Sequence, residues 1–309
     1  MALPSQIPPD NRGAAIALLI GTTCVFALGD AVAKLTVASV PPAQMFFVRC
    51  LIVAAITVPI ALMRIGRQAF QSDHPFLQVA RGLAVTFSSL CFITGLSVLP
   101  LADASAINFI WPILITVWGV LFLGEKVGIR RWSATLVGFF GMLLIVRPGT
   151  SAFQWAAIFP LTAAVLWSIA AVITRAVSDR DRAETTLVWS SLVMLAGGAV
   201  IAPFYWISPT PRDWMLMLAI GLLSVLGHSM LAYAYERASA SALAPYSYLQ
   251  LVWATSLGYL IFGSVPDLWI AGGAALIVAS GIYTVHRERI RAAEARAALS
   301  EAQVIDRGG

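Results

Sequence analysis

Charge is what this sequence is shortest of. Only 11% of its 309 residues are Asp, Glu, Lys or Arg, and 59% are hydrophobic, whereas an ordinary soluble domain carries about 25% charged residues. So little polar surface cannot cover a water-soluble globule of this size, which excludes an ordinary soluble or secreted enzyme and a disordered chain. Cysteine is scarce too. Cys24, Cys50 and Cys91 lie inside apolar runs without metal-ligand spacing; they exclude a disulfide scaffold and read as small buried hydrophobes. The chain lacks an H-E-x-x-H motif, a nucleophile elbow, a P-loop and paired carboxylates on one span. Enzymatic chemistry at membrane depth and direct use of ATP are therefore not legible, and no cofactor or metal is implied. Neither a filter-like loop nor a charged ring marks a channel. Residues 1–12 are polar, and the apolar run after them has no convincing cleavage site, so that run reads as a retained span.

What the sequence does have is long apolar stretches, with a mean hydropathy of +0.84. About 20 apolar residues in a helix cross the hydrocarbon core. The stretches map ten spans: 13–33, 42–63, 76–99, 102–123, 132–146, 153–174, 185–206, 214–235, 242–262 and 268–286. Backbone amides in lipid must be bonded internally, so the expected fold class is an all-α polytopic membrane protein. Lys and Arg give the orientation. Fifteen of the twenty fall on one side, against Lys34, Arg147 and Arg212 on the other, with Arg49 and Arg81 inside spans. This places both termini in the cytoplasm of a cell that inserts the chain in its inner (plasma) membrane. It also explains the sequence pI near 9.4 by basic loops beside anionic lipid, so a nucleic-acid partner is not expected.

The two halves resemble each other. Residues 102–124 line up with 241–263, and 25–34 with 166–175, at an offset near 140. Each half holds an odd number of spans, so the second copy must be inverted in the bilayer. Loop charges agree: Lys126, Arg130 and Arg131 follow span four, while the loop after span nine carries Asp267 and no basic residue. Inverted repeats can exchange conformations and open a midplane site to each side in turn, which is the geometry of alternating access. The expected organisation is a cytoplasmic N-terminus (1–12), a first repeat (13–147), a second, inverted repeat (148–286) and a basic cytoplasmic tail (287–309). Within the tail, residues 287–301 could form an interfacial helix.

The residues that carry this pattern resemble a known family. Arg81-Gly-Leu, Ala102-Asp-Ala-Ser-Ala-Ile, Trp111-Pro112, Leu121-Phe-Leu-Gly124-Glu125-Lys126, Gly138-Phe-Phe-Gly141 and Pro42 followed by Arg49 are similar to an EamA-type half of the drug/metabolite transporter superfamily. The second half departs at Gly263-Ser264, where the family often has Gly-Glu. The resemblance implies ten transmembrane helices, as two inverted five-helix repeats around a central cavity, and export of amino acids or other small metabolites. The aromatic content points within it to exporters of aromatic and other neutral amino acids. Another small metabolite or drug is the alternative cargo, and a membrane-embedded enzyme or scaffold is the alternative class. Expected partners are a small-molecule substrate and the lipid bilayer; oligomeric state is not legible.

Ionised groups at membrane depth are costly and face a cavity or a partner. Asp30 and Lys34, four apart on one helix, either pair structurally or serve coupling and gating. Arg49 and Arg81 either snorkel and bond helix ends or meet substrate. Glu125 reads as a cytoplasmic end-lock. Among neutral groups, Asn108 and Trp111 share a face of span four beside Pro112, which disturbs the helix. Tyr246 and Gln250 share a face of span nine. Trp167, His228, Tyr233 and Ser88 complete the candidate substrate-binding set, and each has a bland reading as packing, lipid contact or an intrahelical bond. Together they suit an amphiphilic, near-neutral ligand, with few basic groups for a phosphorylated one.

Overall fold

A computed structural model describes residues 11–123, 129–146, 154–178, 180–237, 243, 246–265, 267–283, 286 and 290. Glu125, Lys126, Arg147, Pro245 and nearly all of the tail lie outside the described residues. The helices are α1 (Asn11–Thr36), α2 (Pro42–Ile65), α3 (Pro75–Val98), α4 (Leu101–Asn108), α5 (Trp111–Leu123), α6 (Ile129–Val146), α7 (Ile158–Val177), α8 (Ala183–Ile201), α9 (Pro211–Arg237), α10 (Leu249–Phe262) and α11 (Leu268–Tyr283). Among the described residues, seven apolar helical segments are long enough to cross a membrane, and the apolar stretches of α6, α10 and α11 are shorter. Taking α4 and α5 as one interrupted span, these helices make the ten expected crossings.

Proline sets several starts. Pro42, Pro75 and Pro211 open α2, α3 and α9, and Pro100 precedes α4; the missing N–H there is one the helix would leave orphaned anyway. Gly263 ends α10 in the left-handed region (φ 65°). Its N–H donates to the Tyr259 carbonyl, and Ser264 N–H reaches back to Gly258, closing the helix as only a residue without a side chain does comfortably. Thr22, Thr36, Thr57, Thr86 and Thr94 return their hydroxyls to carbonyls four residues back, which leaves them satisfied in an apolar surround.

The packing follows a two-fold relation. α1 lies against α9 as α3 lies against α7; α2 meets α9 as α8 meets α3; α1 meets α10 as α7 meets α5; and α2 packs on α8. Shifting residue numbers by about 140 turns each pairing into its counterpart. Because each copy holds five spans, that axis lies in the membrane plane. Small residues allow the close approaches. A Cβ on Gly82 would come within 2.6 Å of Val193, and one on Gly221 within 2.7 Å of Ile52; these are equivalent contacts in the two copies. α6 crosses α11 with Gly141 against the carbonyl of Gly273.

Polar clamps join the copies at both ends of the α2–α8 pair. At one end, the Gln44 amide donates to the Ile207 carbonyl (2.9 Å) and accepts its N–H (3.1 Å). Nearby, Ser39 donates to Asp213 (2.6 Å). Asp213 and Thr210 form a reciprocal capping box at the start of α9,. At the other end, Asp181 accepts from Ser72, Gln78 and the Asp73 amide, Thr185 donates to the Gln68 carbonyl and Trp189 to that of Phe70. Desolvation pushes the Asp181 carboxyl up, but the bonds from Ser72, Gln78 and Asp73 outweigh it and hold it below the usual carboxylate range,.

Candidate functional site

The fourth span is broken where its sequence is disturbed. Pro112 has no N–H to give the carbonyl of Asn108. The helix stops at Asn108 and restarts at Trp111, with Phe109 and Ile110 between. The ninth span has its break at Tyr248, just before α10. Phe109 and Tyr248 are equivalent positions of the two copies, and their rings meet at a centroid distance of 5.8 Å. Two interrupted helices therefore touch at their interruptions, close to the two-fold axis. Irregular backbone at membrane depth is tolerated where protein or a water-filled cavity lines it, and discontinuous helices are where carriers place their cargo.

Around this crossing lie several of the sequence candidates. Asp30 of α1 accepts a hydrogen bond from Gln250 of α10 at 3.3 Å and lies within electrostatic reach of Arg49. Arg49 sits over the Phe46 ring at 5.4 Å. His228 donates from Nδ1 to the Ser224 carbonyl (2.7 Å) and sets its ring edge to face against Phe26 at 5.1 Å. His228 keeps accessible surface along α9. Trp167 is 37% exposed, but it lies mid-arc between Ala163 and Ala164, which are buried, and Thr174, which takes the Arg81 bond. It therefore shares the packed face of α7, at the position equivalent to Phe26,. Asn108 borders the break with its Oδ1 buried and unpartnered, and Trp111 packs against the main core.

The structure draws other candidates elsewhere. Lys34 does not pair with Asp30. Its ammonium donates to the carbonyls of Leu96 (3.0 Å) and Leu99 (2.6 Å) and so caps α3. A helix C-terminus presents several carbonyls and the negative end of a dipole. Arg81 ties α3 to α7 and α8, through Thr174 (2.6 Å), Ser190 and the Thr186 carbonyl. Ser88 spends its hydroxyl on the Ala163 carbonyl of α7 at 2.8 Å. Tyr233 is drawn towards the end of α9: Arg64 donates to its hydroxyl (3.3 Å) and Arg237 lies over its ring. Tyr246 packs with Ala15, Leu19, Ala234 and Leu243 near the start of α1. Glu125 lies outside the described residues.

Three residues of the fourth and ninth spans escaped sequence reasoning. Ser105 Oγ and Trp253 Nε1 are buried without a hydrogen-bond partner, and the Tyr248 ring presses on Gly281 of α11. A Ser and a Trp in apolar helices carry no periodic signal that separates them from packing residues; Tyr248 was recoverable as the repeat mate of Phe109. A separate cavity of about 300 Å³ opens beside the α3–α4 turn, lined among others by Pro100, Asp103, Gln154, Ser264 and Asp267.

Comparison with known proteins fits this architecture. The model of the EamA-like transporter family matches residues 13–147 and 154–285. A riboflavin transporter of Rhizobium johnstonii is 32% identical over 232 residues, covering 74% of this chain and 76% of that one. The pseudopaline exporter CntI of Pseudomonas aeruginosa is 31% identical over 276 residues, covering 87% and 94%. An S-adenosylmethionine uptake transporter of Rickettsia bellii is 28% identical over 224 residues, covering 72% and 77%. A solved crystal structure shares the fold, with a TM-score of 0.64 at 22% identity over 90% of this chain and 98% of that one. The chain belongs to the EamA-like transporter family: it is a multi-pass membrane protein that transports a small metabolite and is not an enzyme.

Proposed function

We propose that the chain moves a small organic metabolite across the inner membrane by alternating access, with the cargo held where the broken helices cross. The observation that carries this is the contact of Phe109 with Tyr248 at 5.8 Å. It sets two interrupted helices, one from each inverted copy, at one point. Rocking one copy against the other about that point exposes the same surface to each side in turn. Asp30, Asn108, His228 and Gln250 supply polar contacts, while Phe26, Trp167, Phe109 and Tyr248 supply apolar and aromatic surface, a composition usual for a small-molecule site.

The expectation of amino-acid cargo has less support than its alternative. The relatives named above carry riboflavin, S-adenosylmethionine and pseudopaline, and riboflavin and S-adenosylmethionine contain a planar nitrogen heterocycle. Those relatives are named for both uptake and export, so the direction of movement follows from gradients and coupling rather than from this fold. The charge asymmetry of the loops supports cytoplasmic termini.

The test is counterflow in proteoliposomes. Vesicles preloaded with unlabelled riboflavin, S-adenosylmethionine, phenylalanine or threonine are given the labelled counterpart. Acceleration by the first two and not by the amino acids supports this reading. Acceleration by phenylalanine or threonine alone restores amino-acid transport, and acceleration by no small solute refutes cargo binding at the crossing.

A further inference from the structure

α2 and α9 run parallel and diverge towards one end. Ile52 packs on Gly221, and Arg64 reaches Tyr233, at the same sequence offset of 169. Helical spacing carries the two facing stripes from one contact to the other. On α2 the stripe runs from half-buried Ile52 to Pro59, which is exposed, and Met63, which is 78% exposed. On α9 it runs from buried Gly221 to His228 and Ala232, both exposed. Faces that pack at one end and lie open at the other enclose a groove, and Pro59 inside α2 is where that helix can bend away. Arg64 lies about 18 Å along α2 from Ile52, a little more than half of the roughly 30 Å hydrocarbon core. The groove therefore has the depth of one leaflet.

Its flank is a surface turned to lipid. Leu218, Leu222 and Leu226 stand in a row on α9, each about half exposed, and Tyr233 continues that row to the mouth of the groove. Two guanidiniums meet there. Arg64 donates to the Tyr233 hydroxyl (3.3 Å), while Arg237 donates to the Tyr233 carbonyl (2.8 Å) and lies over its ring at 5.6 Å. Gathering like charges from two helices on one side chain is unfavourable by itself, and Arg64 has no acidic partner among the described residues. Each guanidinium presents its N–H donors as a planar fork that matches phosphate.

We propose that the mouth and groove hold one anionic phospholipid. Its phosphate sits between Arg64 and Arg237, the Tyr233 hydroxyl donates to a further phosphate oxygen, and an acyl chain lies in the groove over Pro59 and Met63. Charge complementarity selects the head, and the apolar groove beside a lipid-facing row selects the tail. A phosphatidylcholine head brings a quaternary ammonium to the same arginines and fits less well. Free phosphate leaves the groove unfilled. Because α2 belongs to the first copy and α9 to the second, the lipid staples the two copies at the end where these helices part. The site goes beyond the transport reading and does not depend on what the chain carries.

The probes are phosphatidylglycerol and phosphatidylcholine with identical chains, and inorganic phosphate. Each is titrated into the delipidated full-length protein in maltoside micelles; native mass spectrometry counts bound lipid, and melting curves follow stability. Phosphatidylglycerol is expected to bind as one lipid per chain, about tenfold more tightly than phosphatidylcholine, and to raise the melting temperature. Phosphate at the same concentration should do neither. The preference should fall about threefold or more in Arg64→Gln and in Arg237→Gln, and vanish in the double variant. Arg180→Gln, which removes the same charge from an exposed loop, should leave it unchanged. Where the loss of its bond to the Tyr233 carbonyl keeps Arg237→Gln from folding, Arg64→Gln alone decides. Phosphatidylglycerol with a photoactivatable chain should crosslink within residues 59–63 and 225–233. Equal affinity for the two lipids, a preference undiminished in Arg64→Gln, or crosslinks confined to other helices overturns the proposal. Stabilisation by phosphate to the same extent as by phosphatidylglycerol marks an ion site only and overturns it too. Riboflavin counterflow blocked by Ala232→Phe, without any lipid preference in the wild type, makes the groove a path for cargo and likewise overturns it.

Discussion

Moving one methyl group across the α3–α8 interface tests the packing on which the site depends. A Cβ on Gly197 would meet Thr86 Cγ2 at 2.9 Å, while Thr86 Oγ1 and Cβ stand off at 3.7 and 3.9 Å. Carbon atoms prefer about 3.5–4.0 Å, so Gly197→Ala forces one specific overlap. Overpacking of this kind costs about 1–3 kcal/mol, and the gain of helix propensity returns at most about 1 kcal/mol. The single change is expected to destabilise by about 1–2 kcal/mol. Thr86→Ser removes the offending methyl and keeps the hydroxyl that bonds the Gly82 carbonyl at 2.8 Å. Alone it loses about 1 kcal/mol of buried methyl. Together the two changes conserve volume. The double variant should be more stable than Gly197→Ala, with a favourable coupling of about 1–2 kcal/mol in a double-mutant cycle. Gly272→Ala on α11, where nothing lies within 4 Å, is the control for propensity alone. Reversible unfolding in mixed micelles measures all four. The reasoning fails if Gly197→Ala is as stable as Gly272→Ala, or if Thr86→Ser does not rescue it.

Other consequences are as direct. Lys34→Met should lower stability by about 1–3 kcal/mol, since it strips the charged donor from the Leu96 and Leu99 carbonyls,; an unchanged melting temperature would return Lys34 to solvent or to Asp30. Asp181 is held below the usual carboxylate range in the fold, so the native state binds fewer protons there than the unfolded chain. Its contribution is present above the ordinary carboxylate pKa and is lost as pH falls through the lowered value. Melting temperatures between neutral and strongly acidic pH should therefore fall less steeply in Asp181→Asn than in the wild type; parallel curves would contradict this. Cysteines introduced at Gln71 and Arg180, in a background without Cys24, Cys50 and Cys91, should react with an impermeant reagent from one side of the membrane. Cysteines at Ser39 and Thr210 should react from the other, and a shared side for all four would contradict the inverted arrangement.

Hydropathy made the spans legible because lipid demands long apolar helices, and the proline-marked starts lie within three residues of those expected. The break in span four was announced by Pro112, whose missing N–H leaves the Asn108 carbonyl unbonded just where α4 stops,. Lys34 shows the limit of local spacing. Four residues from Asp30 it looks like half of a pair, yet the carbonyls at the end of α3, sixty residues away in sequence, hold it instead. Tyr233 illustrates another limit: hydropathy says that an aromatic lies in a span, but its depth is decided by Arg64 and Arg237 at the helix end. The clamps of Gln44 and Asp181 were invisible for a related reason. A polar residue near a span end reads as a headgroup contact until the partner loop from the other copy is known.

The two-fold frame and the site follow different rules. Gln44 on Ile207 at one end answers Thr185 on Gln68 at the other; the positions correspond under the repeat offset. Gly82 against Val193 answers Gly221 against Ile52. A frame clamped alike at both faces does not by itself favour either orientation, as alternation between two states of similar energy requires. The polar groups at the crossing break this symmetry. Repeat mates of Asp30 and Arg49 are Ala171 and Ser190, and those of Asn108 and Trp253 are Ser247 and Leu114. The chain thus carries one set of these polar groups on a doubled scaffold. A symmetric pair of sites would bind two cargoes and give each the same view of both sides. A single asymmetric one gives one cargo different neighbours in each state, and this differential contact is what lets the cargo shift the balance between them.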